Sequence, residues 1–538
     1  MSSLMETVRA LRHRHDFRGD VFLSATVTGV PRAGINDPLR QISNDSNMRT
    51  AMENKAPRCL SCGEQEVNMT CAEQLAGFVS RASFDDISNA ARLQLKIRIL
   101  DALGCAIGAM GGDPVALLRD QVEEFDGEGN CTLIGGGRAA PDRVAFYNGA
   151  LVRYLDFNDS YLSKGETCHP SDNLAPVLAA VEYSNGSGRD LLTALAVCYQ
   201  VQCRLSDVAP VRAAGFDHTT QGSYAVAAGV SKALALNDVK TANAIGICGT
   251  AFNALRVTRT GKLSHWKGLA YANTAAACTF ATFLAMRGVT GPLEVFEGDK
   301  GFMDAIAGCF LIDWSEENLE RVTATVLKKY NAEVHSQSAI ECALQLRRQE
   351  KFTVAEIEQI DLETFDVAYN IIGGGDEGDK TLVATKEQAD HSLPYLISVA
   401  LLDGQVMPEQ YTTERINRRD VQELLNDVSI HPTDEFSGRF PAEMPCRLAI
   451  TFRNGRVLSK EVYDYPGFVS NPMSWEMAFE KFERLTGPFT TGSSQRSIAD
   501  AVKNLELIPV RDLAQLLHNV EGRHGKSEPK AVHRVKER

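Results

Sequence analysis

The chain lacks two features that would indicate a membrane or a nucleic acid as its partner. It has no run of 18 or more apolar residues, so we expect no helix that spans a bilayer. Basic residues are in deficit, with 56 Lys and Arg against 69 Asp and Glu and a formal charge of −13 at pH 7. Because a protein without a basic surplus cannot neutralise many phosphates, we expect neither a nucleic-acid partner nor a membrane partner.

Grouped cysteines are also scarce. The 13 cysteines are scattered singly, mostly in apolar contexts such as those of Cys105 and Cys198, which is typical of reduced thiols in an intracellular protein. The one C-x-x-C pair, Cys59 and Cys62, has no second pair downstream, whereas a structural zinc site needs four ligands. An iron–sulfur cluster would likewise need grouped thiolates. We therefore expect no metal site and no cofactor.

Length and periodicity together predict a mainly α protein. A chain of 538 residues exceeds the length that one hydrophobic core usually supports, so we expect two domains. One is a large, discontinuous all-helical domain, and the other is a smaller α+β lid domain. The predicted divisions are a poorly ordered N-terminal extension at 1–68, a helical domain at 69–322, an α+β lid domain at 323–465, C-terminal helices at 466–520 that complete the helical domain, and a disordered tail at 521–538.

The N-terminal extension bears on the compartment. It begins rich in arginine, as mitochondrial transit peptides do, but it also contains Glu6, Asp16 and Asp20, and such peptides avoid acids. We expect a cytoplasmic location, or the mitochondrial matrix if the extension is a transit peptide.

Local patterns predict individual elements. From Ile87 to Ile107, apolar residues recur every four positions, as in an amphipathic helix, and helical patterns dominate up to about Val322. Helices are also predicted at 391–403, 421–428 and 474–520. Alternation predicts strands at 357–365, 446–452 and 456–463. Asn454-Gly455, between the last two strands, predicts a hairpin.

A glycine-rich segment at 373–380 resembles a nucleotide-binding loop only superficially. It lacks the G-K-[ST] ending and carries three acids, which would repel a phosphate. We interpret it as a mobile loop at the edge of the lid.

The most distinctive polar cluster lies between residues 156 and 169. It combines the carboxylates of Asp156 and Asp159 with the Ser160 hydroxyl and the His169 imidazole, just before an apolar run at 174–181 that starts a helix. Side chains of these types can transfer protons and orient one another, and a helix start favours an anion. The same residues could equally be capping groups in a connector, so the pattern leaves both interpretations open.

Two segments of this cluster, LDFND at 155–159 and HPSDN at 169–173, resemble the signature of the MmgE/PrpD family. Further segments match the family pattern in the same order: GFDH at 215–218, LSHWKG at 263–268, KKYNAEVH at 328–335 and TKEQADHSLPY at 385–395. The resemblance covers roughly residues 70–520. It implies a helical domain with an α+β lid, a homodimer, and lyase chemistry that needs no metal.

The resemblance also implies which residues act. The positions that match the family's active site are Asp156, Ser160, His169, His218, Lys328 and Tyr369. His169 is the first candidate for the general acid or base, because imidazole titrates near neutrality, and His218 is the candidate partner acid. Asp156 is expected to orient an imidazole or accept a hydroxyl proton, and Ser160 to hydrogen-bond the substrate.

Cations are expected to hold the carboxylates of the substrate. Lys267 and Lys328 are the candidates, with Lys262 as the alternative to Lys267, because one branch of the family places its lysine several residues before the shared glycine. His335 is a secondary substrate-binding candidate. His391 is a further candidate that we interpret as a structural cap of the following helix.

The function that the resemblance implies is that of the branch that dehydrates 2-methylcitrate to 2-methyl-cis-aconitate in propionate breakdown. Removing a C–H proton and a hydroxyl group from such a tricarboxylate requires a base, an acid and cations. In so acidic a chain, the substrate site must be a local basic pocket. The alternatives are decarboxylation of cis-aconitate to itaconate and a non-catalytic relative that binds carboxylates.

Overall fold

The described part of the chain is mainly helical from residue 69 to residue 286. The computed structural model describes residues 69–125, 129–261 and 263–520, so the predicted extension and tail, the Cys59–Cys62 pair and Lys262 lie outside the described residues. The helices are α1 (Cys71–Arg81), α2 (Asn89–Gly108), α3 (Asp113–Phe125), α4 (Pro141–Tyr154), α5 (Leu174–Tyr183), α6 (Gly188–Val208), α7 (Thr219–Ala233), α8 (Asp238–Ala251) and α9 (Trp266–Met286). Two short antiparallel hairpins join them, β1 (Cys131–Thr132) with β2 (Arg138–Ala139) and β3 (Tyr161–Ser163) with β4 (Glu166–Cys168). The prediction of a mainly α fold is confirmed.

Helix α2 shows how local chemistry sets an element. The Ser88 hydroxyl accepts the backbone N–H of Ala91 at 3.1 Å and so caps the first turn. Ala91, Leu95 and Ile99, spaced four apart, are all buried. The helix predicted from this spacing is confirmed.

The prediction of helix up to Val322 is wrong for residues 287–322. Helix α9 ends at Met286, and the segment that follows contains only two short helical turns, at Met303–Ala307 and Arg321–Ala324. Gly288 adopts a φ of +100°, which ends the helix, and Pro292 follows soon after. These two residue types disfavour a helix more strongly than the apolar spacing favours one.

The next part of the chain combines helices with one sheet. Its elements are α10 (Gln337–Gln349), β5 (Ile357–Thr364), α11 (Asp366–Ala368), α12 (Lys386–Ala389), α13 (Leu393–Asp403), α14 (Thr413–Ile416), α15 (Arg419–Leu424), β6 (Val428–Pro432), α16 (Asp434–Arg439), β7 (Cys446–Phe452) and β8 (Val457–Val462). The four strands lie in the order β6-β5-β7-β8, with β5 and β6 parallel and the other pairs antiparallel.

Three of the four strands match the predictions, and Gly455 turns the β7–β8 hairpin with a φ of +79°. Strand β6 was not predicted. Only Val428 and Ile430 of its five residues are buried, so it carries too short an alternation to be recognised. It pairs with β5, which lies more than 60 residues earlier in the chain. A local sequence pattern cannot predict a contact between such distant residues. The helix predicted at 421–428 is confirmed up to Asp427, as α15 followed directly by a 3-10 turn at Leu425–Asp427.

The described residues end with three helices that pack on the first part, α17 (Trp475–Thr486), α18 (Gly492–Lys503) and α19 (Val510–His518). Helices α2 and α17 approach closely, because a Cβ on Gly104 or Gly108 would lie 3.2 Å from atoms of Phe482 or Leu485. One large apolar cluster joins the early helices to these last ones, and a second lies within 330–452. The predicted domain divisions are compatible with these two clusters and stay a prediction.

Helix α9 is long and apolar enough to cross a membrane. In this structure it packs against α4, α7 and α8 and buries Tyr271, Ala275 and Cys278. Among the described residues it is the one helix that meets both criteria. The fold therefore uses α9 as a helix of the protein core.

Candidate active site

One polar cavity brings together most of the residues that the sequence predicts to be functional. It contains about 490 Å³ of empty space, part of it open to solvent. Its walls are formed by Arg153, Asp156, Thr167, His169, Arg212, His218, Arg256, Arg259, Lys267, Lys328, Glu333, His335, Ile371, Glu377 and His391. These residues come from both the early helices and the α+β part of the chain.

Cations predominate on the cavity wall. Six arginine and lysine side chains face three carboxylates, which leaves a formal excess of three positive charges when the four imidazoles are neutral. Behind this layer lie further buried acids, such as Asp217 beside Arg259 at 2.7 Å and Asp390 beside Lys267 at 3.2 Å. The cavity is therefore a local basic pocket within an acidic chain.

Asp156 lies at the centre of the cationic wall. It follows α4 directly and adopts a φ of +54°, a left-handed conformation that aspartate tolerates better than most residues. Its carboxylate accepts hydrogen bonds from Arg153, from Lys328 Nζ at 2.6 Å and from Lys267 Nζ at 3.2 Å. Lys328 Nζ also donates to the Asp156 carbonyl at 2.7 Å.

The cations around Asp156 determine the ionisation of its carboxylate. Burial alone would raise its pKa, but Arg153, Lys328 and Lys267 hold the pKa well below its ordinary value. A carboxylate so strongly held in its ionised form is a poor proton acceptor. Its hydrogen-bond donors are two lysines and an arginine, and His391 Nε2 lies 3.8 Å from Oδ2, so the carboxylate positions cations beside an imidazole. Its predicted catalytic role stays a prediction.

One ring nitrogen of His169, Nε2, has no hydrogen-bond partner among the described residues. Its Nδ1 lies 2.8 Å from the Asp159 carbonyl oxygen, which can only accept, so Nδ1 carries the proton and Nε2 is left as a base. The Ser160 hydroxyl oxygen lies 3.0 Å from the same Nδ1. Burial and the cations Arg153 and Lys328 hold the pKa of His169 well below its ordinary value. The ring is therefore neutral near pH 7.

His218 is a second buried imidazole on the wall. It stands at the start of α7, and its ring meets that of His169 edge to face, with the ring centroids 5.3 Å apart. Its Nδ1 lies 3.2 Å from Asp217 Oδ1, and its Nε2 has no hydrogen-bond partner among the described residues. Burial lowers the pKa of His218 to about 3, although Asp217 acts in the opposite direction.

His335 and Glu333 form a carboxylate–imidazole pair. His335 Nδ1 lies 2.7 Å from Glu333 Oε1, while Nε2 is buried without a hydrogen-bond partner among the described residues. Burial would raise the pKa of Glu333, but His335 lowers it to about 2, so Glu333 is ionised at neutral pH. A carboxylate in this position fixes the ring and stabilises an imidazolium when one forms.

Lys267 lies among three groups whose spacing would suit a metal ion. Asp156, Asp390 and His391 each offer one ligand atom, and these atoms lie within 4.8 Å of one another. The Lys267 ammonium is 3.2 Å from both carboxylates and 3.0 Å from His391 Nδ1. The lysine therefore supplies a positive charge at the position that these three groups would offer to a metal.

The interpretation of His391 as a helix cap is wrong. The side chain that caps α13 is Ser392, whose hydroxyl accepts the N–H of Tyr395 at 3.1 Å. His391 instead lines the cavity, with Nδ1 2.6 Å from Asp390 Oδ1.

Two predicted catalytic residues do not reach the cavity wall. Ser160 is fully buried beside His169, so its hydroxyl can position the imidazole, and it is not among the residues that line the cavity. Tyr369 begins a short helical turn and packs against the apolar cluster of the α+β part, and Ile371, two residues later, lines the cavity instead.

The polar cluster at residues 156–169 contains both capping groups and groups that line the cavity. The Asp159 carboxylate accepts the N–H of Ser171 at 3.0 Å and the Tyr199 hydroxyl at 2.7 Å, which is capping chemistry. Asp156 and His169, in contrast, line the cavity. Neighbouring residues of this cluster therefore have different roles.

Comparison with known proteins decides the family. The MmgE/PrpD N-terminal domain matches residues 73–314, and the MmgE/PrpD C-terminal domain matches residues 330–507. The chain belongs to the MmgE/PrpD family.

Relatives in this family carry two activities in their names. A cis-aconitate decarboxylase of Mus musculus is 25% identical over 461 residues, 81% of this chain and 90% of the relative. A mitochondrial 2-methylcitrate dehydratase of Yarrowia lipolytica is 25% identical over 474 residues, 82% of this chain and 89% of the relative. A 2-methylcitrate dehydratase of Salmonella typhimurium is 25% identical over 452 residues, 78% of this chain and 91% of the relative. The chain is thus an enzyme of a lyase family, and equal identity does not separate the two activities.

Sequence reasoning missed the arginines of this MmgE/PrpD site. Arg153, Arg212, Arg256 and Arg259 all line the cavity. One signal was present in the chain, because Arg153 precedes Asp156 by three positions, a spacing that lets the two side chains meet. The others depend on how distant segments pack.

Proposed function

We propose that this enzyme removes water from 2-methylcitrate to give 2-methyl-cis-aconitate, a step of propionate breakdown. The observation that carries the proposal is the presence of two imidazoles, His169 and His335, on one cationic wall. Each has its Nδ1 bound to an acceptor, and the nitrogen left over is Nε2.

The charge of the cavity suits such a substrate. Six arginine and lysine side chains line the wall against three carboxylates, which favours a substrate that carries several carboxylates. Lys267 and Lys328 are held in place by Asp156 and can offset the charge that develops when a C–H bond beside a carboxylate breaks.

The two imidazoles suit opposite roles. His169 is kept neutral by burial and nearby cations, so its Nε2 can take the carbon-bound proton. His335, oriented by the Glu333 carboxylate, can hold a proton on Nε2 and give it to the departing hydroxyl. The C–H and C–O bonds then break, the C=C bond forms, and the hydroxyl leaves as water. Proton exchange with solvent resets both rings.

The rival reaction is decarboxylation of cis-aconitate, the activity named for the mouse relative. The two reactions require different catalytic groups. Loss of CO2 leaves a carbanion that needs only a proton donor, whereas dehydration needs both a base and an acid. The His169 and His335 pair meets the larger demand.

Product analysis tests the proposal. Purified enzyme is incubated with 2-methylcitrate, citrate and cis-aconitate while ultraviolet absorbance reports the conjugated alkene and a coupled assay reports CO2. We expect alkene from 2-methylcitrate without CO2. Release of CO2 from cis-aconitate, with no alkene from either hydroxy acid, would identify a decarboxylase. Inactivity on all three would favour a non-catalytic relative.

A further inference from the structure

Lys481 joins two segments of the candidate site without reaching the cavity. It lies on α17, is 8% exposed, and donates hydrogen bonds to the carbonyl of Phe157 at 2.7 Å and the carbonyl of Lys328 at 2.9 Å. Its ammonium is also 2.7 Å from Asp101 Oδ1 and 3.6 Å from the centroid of the Phe157 ring. One buried cation therefore contacts three separate parts of the chain.

The two carbonyls belong to the backbone that carries the central ion pair of the cavity. Phe157 follows Asp156 directly, and the second carbonyl is that of Lys328 itself. The Lys328 side chain closes the arrangement by donating to both the carbonyl and the carboxylate of Asp156. These segments lie 324 and 153 residues before Lys481. They also contact each other through the backbone bridge between Ser160 and Val326, and Lys481 adds a third point of attachment on α17.

We infer that Lys481 is a positioning residue that fixes the distance between the Asp156 and Lys328 segments. The inference rests on the proposed function, in which Lys328 binds a substrate carboxylate. A displacement of about 1 Å in such a site costs about 100-fold in rate. The C-terminal helices would then contribute to activity as well as to stability.

The close packing of α17 on α2 makes Lys481 suited to this task. Gly104 and Gly108 let the two helices approach, and Asp101 on the same face of α2 receives the ammonium group. An ion pair buried to this extent costs more to break on one side than to remove entirely. The variants must therefore separate lost charge balance from lost positioning.

Two variants and a matched control test the inference. Lys481→Met removes the ammonium group, and the double variant Asp101→Asn with Lys481→Met leaves no unpaired buried carboxylate. The control is Lys96→Met, because Lys96 also joins α2 to the C-terminal part, through the Lys503 carbonyl at 2.8 Å and Glu506 at 2.7 Å, but contacts no cavity segment. Each variant is measured for thermal stability, for kcat and KM, and for affinity toward citrate by calorimetry.

We expect the double variant to stay folded at the assay temperature, with kcat/KM about 100-fold below wild type, a raised KM and weaker citrate binding. Lys96→Met should lower the melting temperature and leave KM and citrate affinity unchanged. If the double variant is folded and matches wild type in KM and citrate affinity, Lys481 is only structural and the inference is wrong.

The proposed function is decided separately by the wild-type enzyme. If the wild-type enzyme turns over a tricarboxylate but the Lys481 variants and the Lys96→Met control have the same KM and citrate affinity, only the positioning role is overturned. Wild type that neither turns over nor binds any tricarboxylate overturns both.

Discussion

The ammonium group of Lys328 lies 2.6 Å from the carboxylate of Asp156 and 2.7 Å from its carbonyl oxygen, with both side chains buried. Asp156 therefore holds Lys328 in place twice over. Because Lys267 and Arg153 share the same carboxylate, one acidic group organises three cations that face the cavity.

The first prediction concerns this carboxylate. Asp156→Asn keeps a residue that tolerates a left-handed backbone but removes the charge, so we expect a loss of about 3–5 kcal/mol in unfolding free energy and a much reduced kcat/KM. Asp156→Ala should lose about 1 kcal/mol more, because alanine fits a φ of +54° poorly. Urea unfolding and steady-state kinetics check both values. Equal stability of wild type and Asp156→Asn would contradict the role of this charge.

The second prediction concerns Glu333. Glu333→Gln removes the carboxylate beside His335 Nδ1, so we expect kcat to fall by about 10²- to 10⁴-fold while KM stays nearly constant. The matched control is Glu341→Gln, another buried acid that contacts Tyr330 and Lys329 and does not line the cavity. A loss confined to KM would show that His335 binds substrate and does not transfer a proton.

The third prediction concerns acid stability. The pKa of His218 is about 3 in the folded chain and 6.5 in its ordinary state, so the unfolded chain binds more protons between these values. The contribution of His218 to stability should therefore be complete above pH 6.5 and fall by about 1.4 kcal/mol per pH unit as the pH drops through this window. His218→Gln should show a shallower slope in urea unfolding from pH 6.5 to 4. An unchanged slope would show that His218 does not cause the acid sensitivity.

The fourth prediction concerns the glycine-rich segment. Glu377 lines the cavity and lies 3.0 Å from Arg256, where it competes with a substrate carboxylate for the same guanidinium. Glu377→Gln should lower KM for a tricarboxylate by up to about fivefold, because a partly exposed ion pair contributes about 1 kcal/mol or less. The control is Asp376→Asn, whose side chain is exposed. A raised KM would mean that Glu377 helps to bind the substrate.

Local patterns predicted the elements that depend on local chemistry. The spacing in α2 and the Asn454-Gly455 turn each specify their structure through near neighbours. Strand β6 depends on a parallel partner far along the chain. The helical pattern predicted up to about Val322 does not extend past Met286, because Gly288 and Pro292 interrupt it.

The candidate site was also predicted only in part from the sequence. The family resemblance predicted Asp156, His169, His218, Lys267, Lys328 and His335, all of which the fold brings to the cavity. It did not indicate Arg212, Arg256 or Arg259. These arginines reach the cavity only because segments that are distant in sequence pack together. Tyr369 lies close in sequence to Ile371 of the cavity wall but packs against an apolar cluster, and its predicted role stays a prediction.

The account depends on a cavity that recognises a trianion through the charge of its own side chains. Calorimetry with two unreactive ligands, tricarballylate and glutarate, in the presence of a chelator tests this most directly. We expect tricarballylate to bind about tenfold more tightly or better, since a hydrogen bond to a charged group contributes about 1.5–3 kcal/mol, and we expect added salt to weaken it and the chelator to leave it unchanged. Equal affinity for the two ligands, or binding that the chelator abolishes, would contradict the account.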